Sequence, residues 1–190
     1  MSAILVVYAT KNGSTREVAE AIGTVAAAEG ADIEVVPAHA VVGPVAPADL
    51  VVLGAPIYSG RWHRDAHRFL KRHRRELAGV PVSVFALGPR RDDEVAWRRS
   101  WAQLHRALAK RSWLHPVAVG LFGGADPAAR GRAARGQATR GQATHGQATR
   151  RDLRDWAAIG DWTRNLLASA STIDPHGDRA AFSPGAGRPN

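Results

Sequence analysis

Six consecutive residues, Thr10 to Thr15, gather three hydroxyls (Thr10, Ser14, Thr15), the amide of Asn12, the ammonium of Lys11 and the backbone freedom of Gly13. So dense a set of donors suits an anion. The flanking residues say how they are presented. Ile4 to Tyr8 is a run of β-branched and apolar residues, and a helical pattern begins directly after the loop, with Val18, Ile22 and Val25 on one face. The order is strand, tight loop, helix. Backbone N–H groups at a helix start have no partner within the helix and lie at the positive end of its dipole, so the loop reads as a phosphate site. It has neither the G-x-x-x-x-G-K-[ST] spacing of a nucleoside triphosphate loop nor the G-x-G-x-x-G of a dinucleotide fold. A hydroxyl-rich loop of this kind suits a single terminal phosphate. A plainer reading makes Ser14 a helix cap, with Glu17 completing a capping box. The two are compatible, because both use the same orphan donors.

The elements that must hold this loop follow from periodicity. Asp32 to Val36 reads as a short strand. Asp49 to Gly54 is a continuous apolar strand suited to a sheet covered on both faces. Arg64 to Leu77 is helical, with Ala66, Phe69, Leu70, His73 and Leu77 inward. Val82 to Leu87 is a further buried strand. Asp92 or Asp93 caps a helix with Trp97, Trp101, Leu104 and Leu108 as its inner stripe, so these tryptophans read as core. Pro116 to Phe122 is the last strand, and Leu153 to Leu167 the last helix, carrying Trp156, Ile159, Trp162 and Leu166. Five strand–helix alternations predict an α/β fold: a doubly wound five-stranded parallel sheet with right-handed crossovers. The order 2-1-3-4-5 is the natural fit, with ligands at the carboxyl ends of the strands near the switch point.

With 190 residues the chain reads as one domain. The domain is expected over 1–169, with a low-complexity insertion at about 125–152 and a disordered tail over 170–190. The insertion holds three tandem pentapeptides from Gly136, Gly-Gln-Ala-Thr followed by Arg or His, with almost no apolar content. There is no cysteine, which excludes disulfides, thiolate chemistry and cysteine-bound metal. No apolar run is long enough to span a membrane, and the N-terminal run is too short for a signal peptide, so a cytoplasmic protein is expected. The net charge is +9, carried almost wholly by arginine, since Lys11, Lys71 and Lys110 are the only lysines. No nucleic-acid motif accompanies that charge, so arginine-biased composition is the preferred reading and nucleic acid is not an expected partner.

Tyr8-Ala9-Thr10-x-x-Gly13-x-Thr15-x-x-x-Ala19 resembles the phosphate loop of the flavodoxin family, whose cofactor is flavin mononucleotide (FMN). The resemblance implies a flavodoxin-like sheet and three cofactor loops. Thr10, Lys11, Asn12, Gly13, Ser14 and Thr15 would hold the phosphate. Pro56, Ile57, Tyr58, Ser59, Gly60 and Arg61 would pack on the flavin ring, with Tyr58 and Trp62 as candidate stackers or ordinary loop anchors. Leu87, Gly88 and Pro89 would border the ring's polar edge, where Arg90 and Arg91 would favour the reduced, anionic form. No side chain is needed as a catalytic nucleophile. The stretch Gly54-Ala-Pro-Ile-Tyr-Ser-Gly-Arg-Trp-His63 is similar to that of the menaquinone-dependent protoporphyrinogen IX dehydrogenases, and the match runs over roughly 3–168. That resemblance implies an FMN-dependent oxidoreductase in haem biosynthesis, with a porphyrin substrate, a quinone or redox partner, and a place at the inner face of the membrane. The family's long insertion before the last helix falls where this chain has its polar repeats.

Two other constellations remain. Arg64, Arg68, Lys71 and Arg75 lie at i, i+4, i+7 and i+11, on one helix face. They read as a solvated surface or as a dock for porphyrin propionates or an anionic membrane. His63 and His67 stand four apart without a third ligand or the glutamate of H-E-x-x-H, so no metal is expected. Two rival functions stay open: a small electron carrier without its own substrate, and a flavin-free basic binding module.

Overall fold

A computed structural model describes residues 2–45, 47–58, 61–125 and 152–170. The expected insertion and tail fall almost wholly outside these residues. The first strand, β1 (Ala3–Tyr8), is central. It pairs in parallel with β2 (Asp32–Pro37) on one side and β3 (Leu50–Tyr58) on the other. A two-residue strand β4 (Arg61–Trp62) folds back antiparallel on β3, placing Ile57 opposite Trp62 and Tyr58 opposite Arg61. β5 (Val82–Leu87) and β6 (Ala118–Phe122) complete the order β2-β1-β3-β5-β6, all parallel. This is the expected flavodoxin-like order, with one short hairpin strand added.

The helices cover both faces, and alternation along each strand decides which residue meets which. Leu5, Val7, Val51, Leu53, Val84 and Ala86 face α2 (Arg64–Arg72), α3 (Arg74–Leu77) and α4 (Glu94–Ala109). Ile4, Val6, Leu50, Val52, Phe85 and Leu87 face α1 (Ser14–Ala28) and α5 (Trp156–Ala170). A central parallel sheet buried on both sides needs apolar residues at every position, as β1, β3 and β5 show.

Some boundaries differ from the sequence reading, each for a local reason. The helix expected over Arg64–Leu77 breaks at His73, whose φ of −98° and ψ of 15° leave the helical region. His73 is buried there. Its Nδ1 lies 3.3 Å from Glu76 Oε1, and Glu76 Oε2 accepts the Val45 N–H at 2.6 Å. The kink lets α3 hold the chain that leads into β3. On α1, Ala26 rather than Val25 completes the buried face. On α4 the fully buried positions are Leu104 and Ala107, while Trp97, Trp101 and Leu108 lie half-buried against the same core. Asp93 caps α4 as expected, its Oδ1 accepting the Ala96 N–H at 2.8 Å.

Candidate functional site

The first loop leaves β1 at Ala9, whose N–H donates to Gly54 C=O at 2.8 Å, and turns into α1 through Gly13. Gly13 is the N-cap, at φ 85°, a left-handed conformation that suits glycine and strains residues with a Cβ. Its N–H donates to Thr10 Oγ1 at 2.7 Å. This corrects the capping-box reading. The turn puts Ser14 inside the helix as its first residue, and no side chain caps the helix. Among the described residues, no side chain therefore caps the opening donors of α1.

Thr15 sharpens this. It is 0% exposed, and its Oγ1 meets no hydrogen-bond partner among the described residues. An orphaned buried hydroxyl costs on the order of 1–3 kcal/mol, so it points to a partner beyond the described residues. A phosphate at the loop fits both the orphan hydroxyl and the uncapped helix end. Behind the loop, Glu17 in the first turn of α1 is ion-paired with Arg154, which also pairs with Asp152. These carboxylates raise the Arg154 pKa above its ordinary value against the lowering effect of burial, led by Asp152. The guanidinium, 5% exposed, also sits 4.7 Å from the Trp156 ring centroid. The clamp fixes the start of α1 against the chain entering α5.

Beside this loop a cavity of about 720 Å³ opens at the carboxyl ends of the strands. Sites for small organic ligands fall in the range of ~300–1,000 Å³. Asn12 and Ser14 contribute from the first loop, and Pro56 and Ile57 from the end of β3. Leu87, Gly88 and Pro89 contribute from the exit of β5, and Gly124 and Ala125 from the exit of β6. The Gly88 N–H donates to Phe122 C=O at 2.7 Å and the Gly124 N–H to Pro89 C=O at 2.9 Å, so these two exits form one wall. The structure thus brings the exits of four strands to one hollow. Thr10, Lys11, Gly13 and Thr15 belong to the first loop but do not line the hollow itself. Ser59, Gly60 and the Tyr58 side chain lie outside the described residues.

The second loop is more ordered than the sequence suggests. Gly54 to Tyr58 continues β3, and the chain returns through β4, so Pro56 and Ile57 are presented from a strand end. Trp62 does not stack in the cavity. It is 3% exposed in the α2–α4 core, with the Arg111 guanidinium 5.0 Å from its ring centroid. Strand alternation after the hairpin turns it inward. The histidine pair is also engaged. His63 Nδ1 accepts the Asp65 N–H at 3.3 Å as the cap of α2, and His67 Nδ1 faces Arg111.

Burial, then Arg111 and Lys110, push the His67 pKa below its ordinary value of 6.5, partly offset by the Trp62 backbone. The unfolded chain therefore binds a proton that the folded chain resists. Stability is full above the unfolded value and falls as pH drops through the lowered folded one. Urea midpoints are expected to fall between pH 7.5 and 5.5, and to fall less in His67→Gln. Equal losses in both proteins would exclude His67 as the cause.

Of the α4 wall of the cavity the sequence reading had only Arg90 and Arg91, and it missed the rest. Arg90, Arg91 and Arg99 line it together with Asp93, Val95, Ala96 and Ser100 of α4 and its cap. The ten residues from Arg90 to Arg99 carry no motif, and only the docking of α4 over the β5 exit assembles them. Charge gave one signal. Residues 61–111 hold fourteen Arg and Lys against five Asp and Glu, while the rest of the chain holds twelve of each. The entire net charge of +9 thus belongs to the stretch that forms the α2–α4 side of the sheet. On α2 itself Arg64 and Arg68 stay exposed, 3.7 and 3.6 Å from Asp65 Oδ1.

Known proteins with this arrangement can now be compared. The chain is similar in structure to a short-chain flavodoxin associated with a bacterial microcompartment, with a TM-score of 0.56 and 16% identity over 90% of this chain and 99% of that one. A Streptococcus pneumoniae flavodoxin gives 0.53 at 14% identity, covering 88% and 99%. An archaeal flavodoxin gives 0.52 at 14% identity, covering 89% and 99%. At such identities these likenesses speak for the fold. No curated protein matches the chain in sequence. Among the described residues no helix is long and apolar enough to cross a membrane. Residues 5–128, well over half of the chain, match the profile of the Flavodoxin domain, and the protein belongs to that family.

Proposed function

We propose that the chain is an FMN-dependent oxidoreductase that passes electrons between an organic substrate and a quinone, of the protoporphyrinogen IX dehydrogenase type. The observation that carries this is the cavity, where the exits of four strands meet beside an uncapped helix start with an orphan hydroxyl. Bound FMN supplies the electron-transfer chemistry. Thr10 to Thr15 would hold its phosphate through backbone N–H groups and hydroxyls. Pro56 and Ile57 on one side, and Leu87, Gly88 and Pro89 on the other, would exclude water from the ring. Tyr58, Ser59, Gly60 and Arg61 belong to the same proposed site. Arg90 and Arg91 would set a positive potential at its rim, which favours the electron-rich form.

A second reading is a carrier that meets only a protein partner. The flavodoxins it resembles over nearly their whole length favour it. One experiment serves both. The purified chain is incubated with FMN, freed of excess, and its visible spectrum recorded. Flavin bands shifted from those of free FMN are expected to stay with the protein. Rapid reoxidation of the reduced protein by a small quinone, and its reduction by protoporphyrinogen, are then expected. Retained flavin that is inert to both, yet reduced by a protein reductase, would select the carrier. A colourless protein would sink both and leave the basic binding module.

A further inference from the structure

We infer that Arg90 and Arg99 form an anion subsite on the α4 wall of the cavity, which binds the carboxylate of a small organic substrate. The inference rests on the flavin reading for the purpose of the site, though not for its existence. Three arginines line this wall. Arg91 is used within the protein: its Nε lies 2.9 Å from Asp93 Oδ2. The same carboxylate is committed through Oδ1 to the cap of α4, at 2.8 Å from the Ala96 N–H. Arg90 and Arg99 meet no carboxylate within ion-pair distance among the described residues. They differ in this from Arg64 and Arg68, which share Asp65.

The two arginines arrive from different elements. Arg90 leaves the β5 exit directly after Pro89, whose carbonyl is tied to the Gly124 N–H at 2.9 Å. Arg99 stands on the second turn of α4. Each brings a planar fork that matches a carboxylate. Ser100 does not donate to the cavity, because its hydroxyl is bonded to Ala96 C=O at 3.0 Å. Val95, 60% exposed, adds an apolar shoulder to the same wall. Cations beside an apolar surface suit an organic acid better than an inorganic ion. The net charge of +9 on residues 61–111 adds a field over this side of the molecule, and a cleft lined by one sign of charge concentrates ions of the other. The phosphate of FMN has its own proposed donors at Thr10 to Thr15, on the loop between β1 and α1. The arginine pair is therefore left for a second molecule.

The test compares 1,4-naphthoquinone with 1,4-naphthoquinone-2-carboxylate as oxidants of the reduced, FMN-loaded protein in stopped flow. In the double variant R90Q/R99Q, the ratio of the carboxylate rate to the neutral rate is expected to drop about tenfold or more, since charge-assisted hydrogen bonds are the strong ones. The retention of FMN should stay as in the parent, and the neutral rate is the reference that divides out any effect of Arg90 on the flavin itself. Arg98→Gln, which removes a side chain paired with Glu94 and absent from the cavity wall, should change nothing. An unchanged ratio, or an equal loss for both quinones, would overturn the subsite. Loss of FMN from R90Q/R99Q would also overturn it, by assigning the arginines to the cofactor. Should the parent chain hold no flavin, the same carboxylate is titrated against the flavin-free protein by quenching of tryptophan fluorescence. Binding lost in R90Q/R99Q would then keep the subsite while the flavin reading falls, and no binding by the parent would remove both.

Discussion

Thr15→Val is expected to stabilise the flavin-free chain and to weaken its hold on FMN, two effects of opposite sign from one atom. Valine has the shape of threonine without the hydroxyl, so packing at this fully buried site is kept. In the free protein Oγ1 has no partner, and removing it relieves roughly 1 kcal/mol of desolvation penalty. In the loaded protein the same hydroxyl would donate to a phosphate oxygen. A hydrogen bond to a charged group contributes about 1.5–3 kcal/mol, so the FMN dissociation constant should rise roughly ten- to hundredfold. Thermal unfolding without flavin and fluorescence titration with it give the two numbers. A variant that melts higher but binds FMN as tightly as the parent would move the phosphate away from Thr15. A variant that melts lower would mean that the hydroxyl already has a partner.

Gly54→Ala should be the most damaging single methyl in the sheet. Gly54 and Phe85 are paired across β3 and β5. A Cβ at Gly54 would lie 2.0 Å from Phe85 Cζ and 2.3 Å from Cε1. The ring is fully buried and cannot swing aside, because Phe122 and Trp162 stand around it with centroids 6.1 and 6.4 Å away. Overpacking of this kind costs about 3 kcal/mol, or roughly 6–12 °C of melting temperature in a domain of this size. The Ala9 N–H is bonded to the Gly54 carbonyl, and Pro56 follows two residues later, so the shift also reaches the first two loops. FMN retention should fall with stability. Phe85→Leu empties the space that the methyl needs, so Gly54→Ala should cost far less in that background, a coupling that a double-mutant cycle reads directly. Additive losses, or a single variant as stable as the parent, would show that the ring moves freely.

Much of this architecture was legible in the chain. Apolar runs such as Leu50 to Leu53 and Val82 to Leu87 have only one stable place, inside a sheet covered on both faces. Their alternation with amphipathic helices gave the parallel order, and Asp93 announced the start of α4. The strand, tight loop and helix start that carry the proposed anion site could also be read, because the loop's donors are consecutive in sequence and a helix start needs no distant partner to point them outward. What could not be read was every feature that depends on two elements meeting. Gly13 looked like a neighbour of the cap and is the cap itself, since only the path of the turn decides which residue takes φ 85°.

Trp62 offered an aromatic ring to the cavity by sequence. The pairing of β4 with β3 turns it under Arg111 instead. Arg90 could be placed at the third loop from its position, but Arg99 carried no signal beyond its charge, yet both line one cavity with Pro56 and Asn12 once α4 settles over the β5 exit. The sequence by itself determined the elements, their order and the donor-rich loop proposed to bind an anion, because burial and helix-end chemistry are written in local spacing. The tertiary structure alone decided the shape and charge of the cavity, because side chains from four strand exits and a helix share it only after packing has fixed their distances.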